Sequence, residues 1–167
     1  MSCGKHLSKL ASVGDCITNN PDFNPVEIPR NENYKLVVHE QATLSLFQNG
    51  DELVPEIDSG NMLVFEYQFQ RPVKPGMTDA GYMEHILFET DARSENFVLN
   101  EADLQTAKAM YGNLCFCVDA GYHPVTGGCI KGWKSGDNEW HIEMNVQASG
   151  KNREFSKMLS EEFLIAD

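Results

Sequence analysis

From residue 34 onward the chain alternates apolar and polar side chains. Tyr34, Leu36 and Val38 alternate with Lys35, Val37 and His39; Ala42, Leu44 and Leu46 with Thr43, Ser45 and Phe47; Leu63, Phe65, Tyr67 and Phe69 with Val64, Glu66 and Gln68. A period of two marks strands that lay one face on a core. Tyr82 to Phe88 is apolar nearly throughout, interrupted by Glu84 and His85, and reads as another strand. Asn49-Gly50-Asp51 and Asp58-Ser59-Gly60-Asn61 supply turns between these runs, the first with a hairpin-type Asn-Gly pair. Arg71 to Gly81 contains two prolines and two glycines, and is the candidate for a partner-contacting loop.

One helix is expected, near 101–111. Asn100 is placed to cap it, Leu104, Ala107 and Tyr111 recur at helical spacing, and Gly112 stops it. Residues 152–167 fit either an amphipathic helix, through Phe155, Met158, Leu159 and Phe163, or a closing edge strand. Residues 1–25 are polar and turn-rich and read as an extended segment preceding a single β-rich domain, 26–167.

Residues 113–147 carry the strongest pattern. They read as a three-stranded meander: Leu114 to Val118, Gly128 to Lys134, and Asn138 to Val146, with Ser135-Gly136-Asp137 as a hairpin loop. With Lys134 opposite Asn138, Ile130 faces Ile142 and Gly132 faces Trp140. With the first hairpin centred near His123, Phe116 faces Ile130 and Cys117 faces Cys129. One face then collects Leu114, Phe116, Val118, Ile130, Trp140, Ile142, Met144 and Val146, the other Cys115, Cys117, Cys129, Lys131, Trp133, His141 and Glu143. A slip of one residue would scatter both sets. The expected fold is mainly β: an antiparallel sandwich with one short crossover helix, or alternatively a β-barrel. An immunoglobulin-like topology would place a corner tyrosine two residues before a core cysteine; Tyr111 and Cys115 are four apart, so the expectation stops at the sandwich.

This register places Cys117 opposite Cys129, within disulfide reach. In an oxidising compartment the bond would stabilise by about 2–3 kcal/mol. Cys115, Cys117, Cys129 and His141 share that face and form a donor set that zinc accepts, but ligands spread over a flat sheet do not converge on one ion, so no metal site is expected. Oxygen-rich turns at Asn19-Asn20-Pro21-Asp22-Phe23-Asn24 and Ser135-Gly136-Asp137-Asn138 leave only a weak case for calcium. His85 and Glu84 alternate, so they cannot form a dyad on a strand. No Gly-x-Ser-x-Gly, phosphate-cradling glycine loop or His-Glu-x-x-His is present, so no catalytic residues are assigned and no enzyme is expected.

Charge narrows the partners. The 167 residues carry 25 Asp and Glu against 13 Lys and Arg, a net −12. That disfavours nucleic acid and anionic lipid, which select basic surfaces. No stretch reaches the about 18 apolar residues of a membrane-spanning helix.

The chain opens Met1-Ser2-Cys3-Gly4, and Ser2-Cys3-Gly4 resembles the end of a lipobox in bacterial, Bacteroidetes-type lipoproteins. The resemblance covers three residues. It implies that Cys3 is a lipidated anchor and that the protein lies outside the cytoplasm, in the cell envelope or secreted; a cytoplasmic protein with reduced thiols is the alternative. Trp133, with Lys131 and His141 on the same strand face, is the expected contact surface for a protein or glycan partner. The function expected is a non-enzymatic extracytoplasmic binding module; the alternative is a structural subunit of a larger assembly, homo-oligomeric or otherwise.

Overall fold

The computed structural model describes residues 27–77 and 81–166. The domain is mainly β with one short helix. The strands are β1 (Tyr34–Asn49), β2 (Glu52–Ser59), β3 (Met62–Gln70), β4 (Tyr82–Asp91) and β5 (Asn96–Asn100). The helix α1 (Ala102–Thr106) follows, then β6 (Met110–Cys115), β7 (Gly121–Gly136), β8 (Glu139–Ser149) and β9 (Glu154–Ile165). They form one sheet in the order β2-β1-β3-β4-β6-β7-β8-β9, with β5 on the side of β7. The sheet folds over so that its halves sandwich one core. Phe65 of β3 meets Trp140 of β8 at 5.4 Å and Phe163 of β9 at 6.3 Å between ring centroids. One side of the sandwich is closed by a short parallel pairing of β1 with β9, Val37 with Leu164 and Val38 with Ile165.

The alternation seen in sequence is the burial pattern of these strands. Leu36, Val38, Leu63, Phe65, Tyr67, Ile86, Phe88, Ile130, Trp140, Ile142, Met144 and Val146 all lie in the main core. The two expected runs at 34–39 and 42–47 are one strand. A bulge between His39 and Ala42, with Gln41 at φ 51°, bends it. Past the bend, Ala42 and Leu44 leave the main core and pack with Val64 and Leu87 in a second, smaller cluster. These two residues belong to the opposite side of β3 and β4 from Phe65 and Phe88, so the far half of β1 lies over the sheet's outer face. Asn49 and Glu52 pair across the Asn49-Gly50 turn, with Gly50 at φ 62°.

Two expectations are corrected here, and the choice left open for residues 152–167 is decided. The helix covers only Ala102–Thr106, because Asn100 ends β5 rather than capping, and Met110 and Tyr111 already belong to β6. The C-terminal segment is a strand: Phe155, Leu159 and Phe163 recur at fours, which satisfies period two as well as a helix. The second hairpin of the meander closes two residues later than expected, pairing Lys134 with Trp140, Gly132 with Ile142 and Ile130 with Met144. A shift of two preserves parity, so both faces survive it.

The first hairpin of the meander is not as expected. β6 pairs with β7 through Tyr111–His123 and Asn113–Gly121, and 116–120 is its loop. Phe116 and Val118 are 92% and 67% exposed, not core residues, and Phe116 does not face Ile130. The turn is made by Asp119 at φ 61° and Gly121 at φ 118°. Their local conformation overrides the apolar alternation that pointed inward.

Candidate functional site

The outward face of β7, β8 and β9 carries two parallel rows. One is Lys131–Glu143–Ser160, the other Trp133–His141–Glu162, each row formed by residues directly opposite on neighbouring strands. The Trp133 and His141 rings stack at 4.5 Å, and Lys131 Nζ lies 5.0 Å from the Trp133 ring centroid. His141 Nδ1 is 2.6 Å from Glu162 Oε1, and its Nε2 is 2.9 Å from Ser160 Oγ. Ser135 donates to the other Glu162 oxygen at 2.6 Å. Partial burial works to raise the Glu162 pKa, but the hydrogen bonds from Ser135 and His141 outweigh it and hold the carboxyl below its ordinary value. Beside Trp133 opens a recess of about 290 Å³ lined by Asn96, Phe97, Val98, Lys131, Gly132 and Trp133. The expected surface residues Trp133, Lys131 and His141 are therefore brought together; Glu162, Ser160 and Ser135 complete the cluster. Those three were missed because Ser160 and Glu162 come from β9, a segment equally readable as helix, and Ser135, which belongs to β7, was read as part of the hairpin loop.

Ser160, His141 and Glu162 stand in the order of nucleophile, base and orienting acid. They project from an open sheet face. Acyl transfer would also need donors about 3 Å from a developing oxyanion, and what this cluster offers is an aromatic platform with hydrogen-bonding groups around it.

The sulfurs are arranged differently from expectation. Cys117 is joined to Cys115, with Cα atoms 5.3 Å apart, not to Cys129. The reason is the misplaced first hairpin: Cys117 sits in the 116–120 loop, while Cys129 lies between Asn100 and Asn145. Cys129 is not a free thiol. Among the described residues, no three His, Cys, Asp or Glu side chains gather closely enough to hold a metal ion, and Ser135 of the second oxygen-rich turn is committed to Glu162. Cys3 and the Asn19–Asn24 turn lie outside the described residues.

Sequence reading also missed a buried ionic network on the outer face of β1, β3, β4 and β7. Glu66 is 5% exposed. Its Oε2 lies 2.7 Å from both His39 Nε2 and Lys35 Nζ, and its Oε1 3.1 Å from His85 Nε2. His85 Nδ1 is 2.8 Å from the Tyr122 hydroxyl. An ionised carboxylate only accepts, so His85 donates to Glu66 from Nε2. Gly112 makes the His85–Tyr122 contact possible: a Cβ there would stand 2.7 Å from the Tyr122 ring. Burial pushes the Glu66 pKa up, but hydrogen bonds from His85, Lys35 and His39 overcome it and leave it at about 2. The signal in sequence was the polar residues on the non-core faces, Lys35 and His39, Glu66, and His85; which strands adjoin could not be read from it.

Two further buried carboxylates are satisfied in the same way. Glu84 accepts from Tyr67 at 2.9 Å and Tyr111 at 2.5 Å and pairs with Lys157 at 2.7 Å. Burial, together with the Glu84 charge, pushes both tyrosine pKa values far above normal. Glu89 accepts from Thr43 and the Leu44 amide and pairs with Lys108. That carboxylate ties the bent half of β1 to the outer face of β4.

Comparison with protein families, curated proteins and solved structures finds no match to this chain.

Proposed function

We propose that the protein is a non-enzymatic binding module that works outside the cytoplasm and contacts a protein or glycan partner through Trp133, Lys131 and His141. The observation that carries the reading is the stacked Trp133–His141 pair, with Lys131 alongside and a recess next to it, built on three rigid strands. Aromatic faces bordered by hydrogen-bonding side chains suit ligands that are apolar on one side and polar at the rim. The Cys115–Cys117 pair supports an oxidising compartment.

The alternative, a structural subunit, draws less support. Edge strand β2 carries Pro55 and the acids Glu52, Glu56 and Asp58, which discourage strand addition from a second copy.

The chain has two tryptophans, and Trp140 is 3% exposed, so intrinsic fluorescence quenching by solutes reports Trp133. Titration with a panel of soluble oligosaccharides is expected to give a saturable change for at least one. Trp133→Ala binding followed by calorimetry should be weaker by about 1–3 kcal/mol, the range of a buried aromatic contact. A ligand bound equally well by Trp133→Ala and Lys131→Ala would place the contact surface elsewhere.

A further inference from the structure

Cys115 and Cys117 are joined across a single intervening residue, with Cα atoms 5.3 Å apart. A disulfide stabilises a fold chiefly through the chain loop it closes, and its contribution grows with the length of that loop. One residue is close to the shortest loop there is, so this bond does little to hold the fold. Other bonds fix the 116–120 loop. The Asp119 carboxylate accepts the Lys151 and Asn152 amides at 2.9 Å. The Asp119 carbonyl accepts from Asn113 Nδ2 at 3.2 Å and lies 3.0 Å from His123 Nε2. At the base of the loop β6 and β7 pair through Asn113–Gly121 and Gly112–Tyr122.

The pair is also open to attack. Thiol–disulfide exchange requires a thiolate to reach one of the two sulfurs. Cys117 is exposed and Cys115 half-buried. Cys117 borders two recesses, of about 740 Å³ and about 380 Å³. Charges of both signs stand around them: Asp51, Glu52, Asp119 and Lys151 line the first, Arg71 and Arg153 the second. What singles out Cys117 is a hydrogen bond, not a field. Asn113 Nδ2 donates to its Sγ at 3.5 Å, and Asn113 is fully buried and steadied by the Asp119 carbonyl. Hydrogen bonds to an ionised acceptor are the stronger, so a donor here favours a thiolate over a disulfide sulfur and thereby the reduced pair. The strongly exposed Phe116 and Val118 flank Cys117 in the chain. They offer an apolar partner chain a contact beside the open sulfur.

We propose that Cys115–Cys117 is a redox-active disulfide that oxidises the paired thiols of an extended, apolar polypeptide. A substrate thiolate attacks Cys117 Sγ; the S–S bond breaks, and its electron pair leaves on Cys115 Sγ, which takes a proton from water. The second substrate thiolate attacks the substrate sulfur of the mixed disulfide and expels Cys117 as the thiolate that the Asn113 amide receives. The substrate gives up two electrons and two protons, and the cysteine pair gains them. A small-molecule disulfide, oxidised glutathione for example, takes them on and restores the bond. Asn113 acts through Cys117 and is a positioning residue. The loop leads into β7 at the end away from Trp133, so this activity rests on none of the residues of that surface.

The test uses the full chain and a synthetic peptide with two cysteines, each beside a leucine, in oxidised glutathione at neutral pH. Small amounts of the chain are expected to raise the rate of peptide oxidation about tenfold or more over the buffer alone. Cys117→Ser should abolish that gain. Cys115→Ser, mixed with the oxidised peptide, should accumulate a mixed disulfide at Cys117, read by mass. Phe116→Ala, an exposed position where folding is not at stake, should slow the reaction about fivefold through the lost apolar contact. It should leave a peptide with serines in place of the leucines unaffected. Asn113→Ala should move alkylation of Cys117 in the reduced chain to higher pH, which a purely structural role of Asn113 does not predict. A pair that stays closed in reduced glutathione, unfolding by circular dichroism when the pair is reduced, no gain in peptide oxidation, or an equal gain from Cys117→Ser would each overturn the proposal.

Discussion

Glu66 shows how a single side chain can be decisive and yet unreadable in isolation. A lone glutamate on a strand face is ordinarily solvated. Here the two neighbouring strands supply its partners, Lys35 and His39 from β1 and His85 from β4, and the carboxylate is held ionised inside the fold. Its pKa of about 2 lies below the unfolded value of 4.5. The stabilisation this confers is therefore complete above about pH 4.5 and is lost as the pH falls toward 2, amounting to about 3 kcal/mol. Urea unfolding measured from pH 7 down to pH 2.5 should show that loss. In Glu66→Gln the slope across this window should flatten, and stability at pH 7 should drop by about 3–5 kcal/mol, because Lys35 and both histidines lose their partner. An unchanged pH profile in the variant would mean that another carboxyl governs acid sensitivity. Trp133, by contrast, was legible. Its face follows from parity alone, and parity survived the two-residue error in register.

Among the elements, the strands were more readable than the hairpins joining them. Ile130, Trp140, Ile142, Met144 and Val146 lie inside, as their alternation indicates. Phe116 and Val118 continue the same alternation and lie outside, because Asp119 and Gly121 turn the chain first. Period two reports which residues share a face, not where a strand ends. Asp119 also holds the 116–120 loop to the β8–β9 turn through the Lys151 and Asn152 amides. Asp119→Ala should release that link, lowering stability by about 1–2 kcal/mol as charge-assisted hydrogen bonds are lost. Hydrogen exchange at residues 150–153 should accelerate selectively; unaltered exchange there would show that the turn holds itself. The β2 and β5 strands escaped sequence reading for a related reason. They are short or half-exposed, and their pairing with β1 and β7 supplies order that their own pattern does not.

For the whole molecule, the proposal of an exported, lipid-anchored protein rests on the resemblance of Ser2-Cys3-Gly4 to a lipobox and is tested at that cysteine. In cells that export the chain, Cys3→Ser should shift it from the membrane fraction to the soluble fraction. Wild-type protein that is already soluble would reject the anchor. The sequence alone determined the mainly β class, the inward and outward sides of most strands and the grouping of Trp133, Lys131 and His141, because a strand's side-chain period is a local property of the backbone. Only the tertiary structure decided that Cys117 joins Cys115, that Glu66 meets two histidines, that β9 closes against β1, and that Arg71 and Arg153 share a cavity. Each of these depends on where strands end and which become neighbours. That choice is made by packing and burial of the chain as a whole, and no local period encodes it.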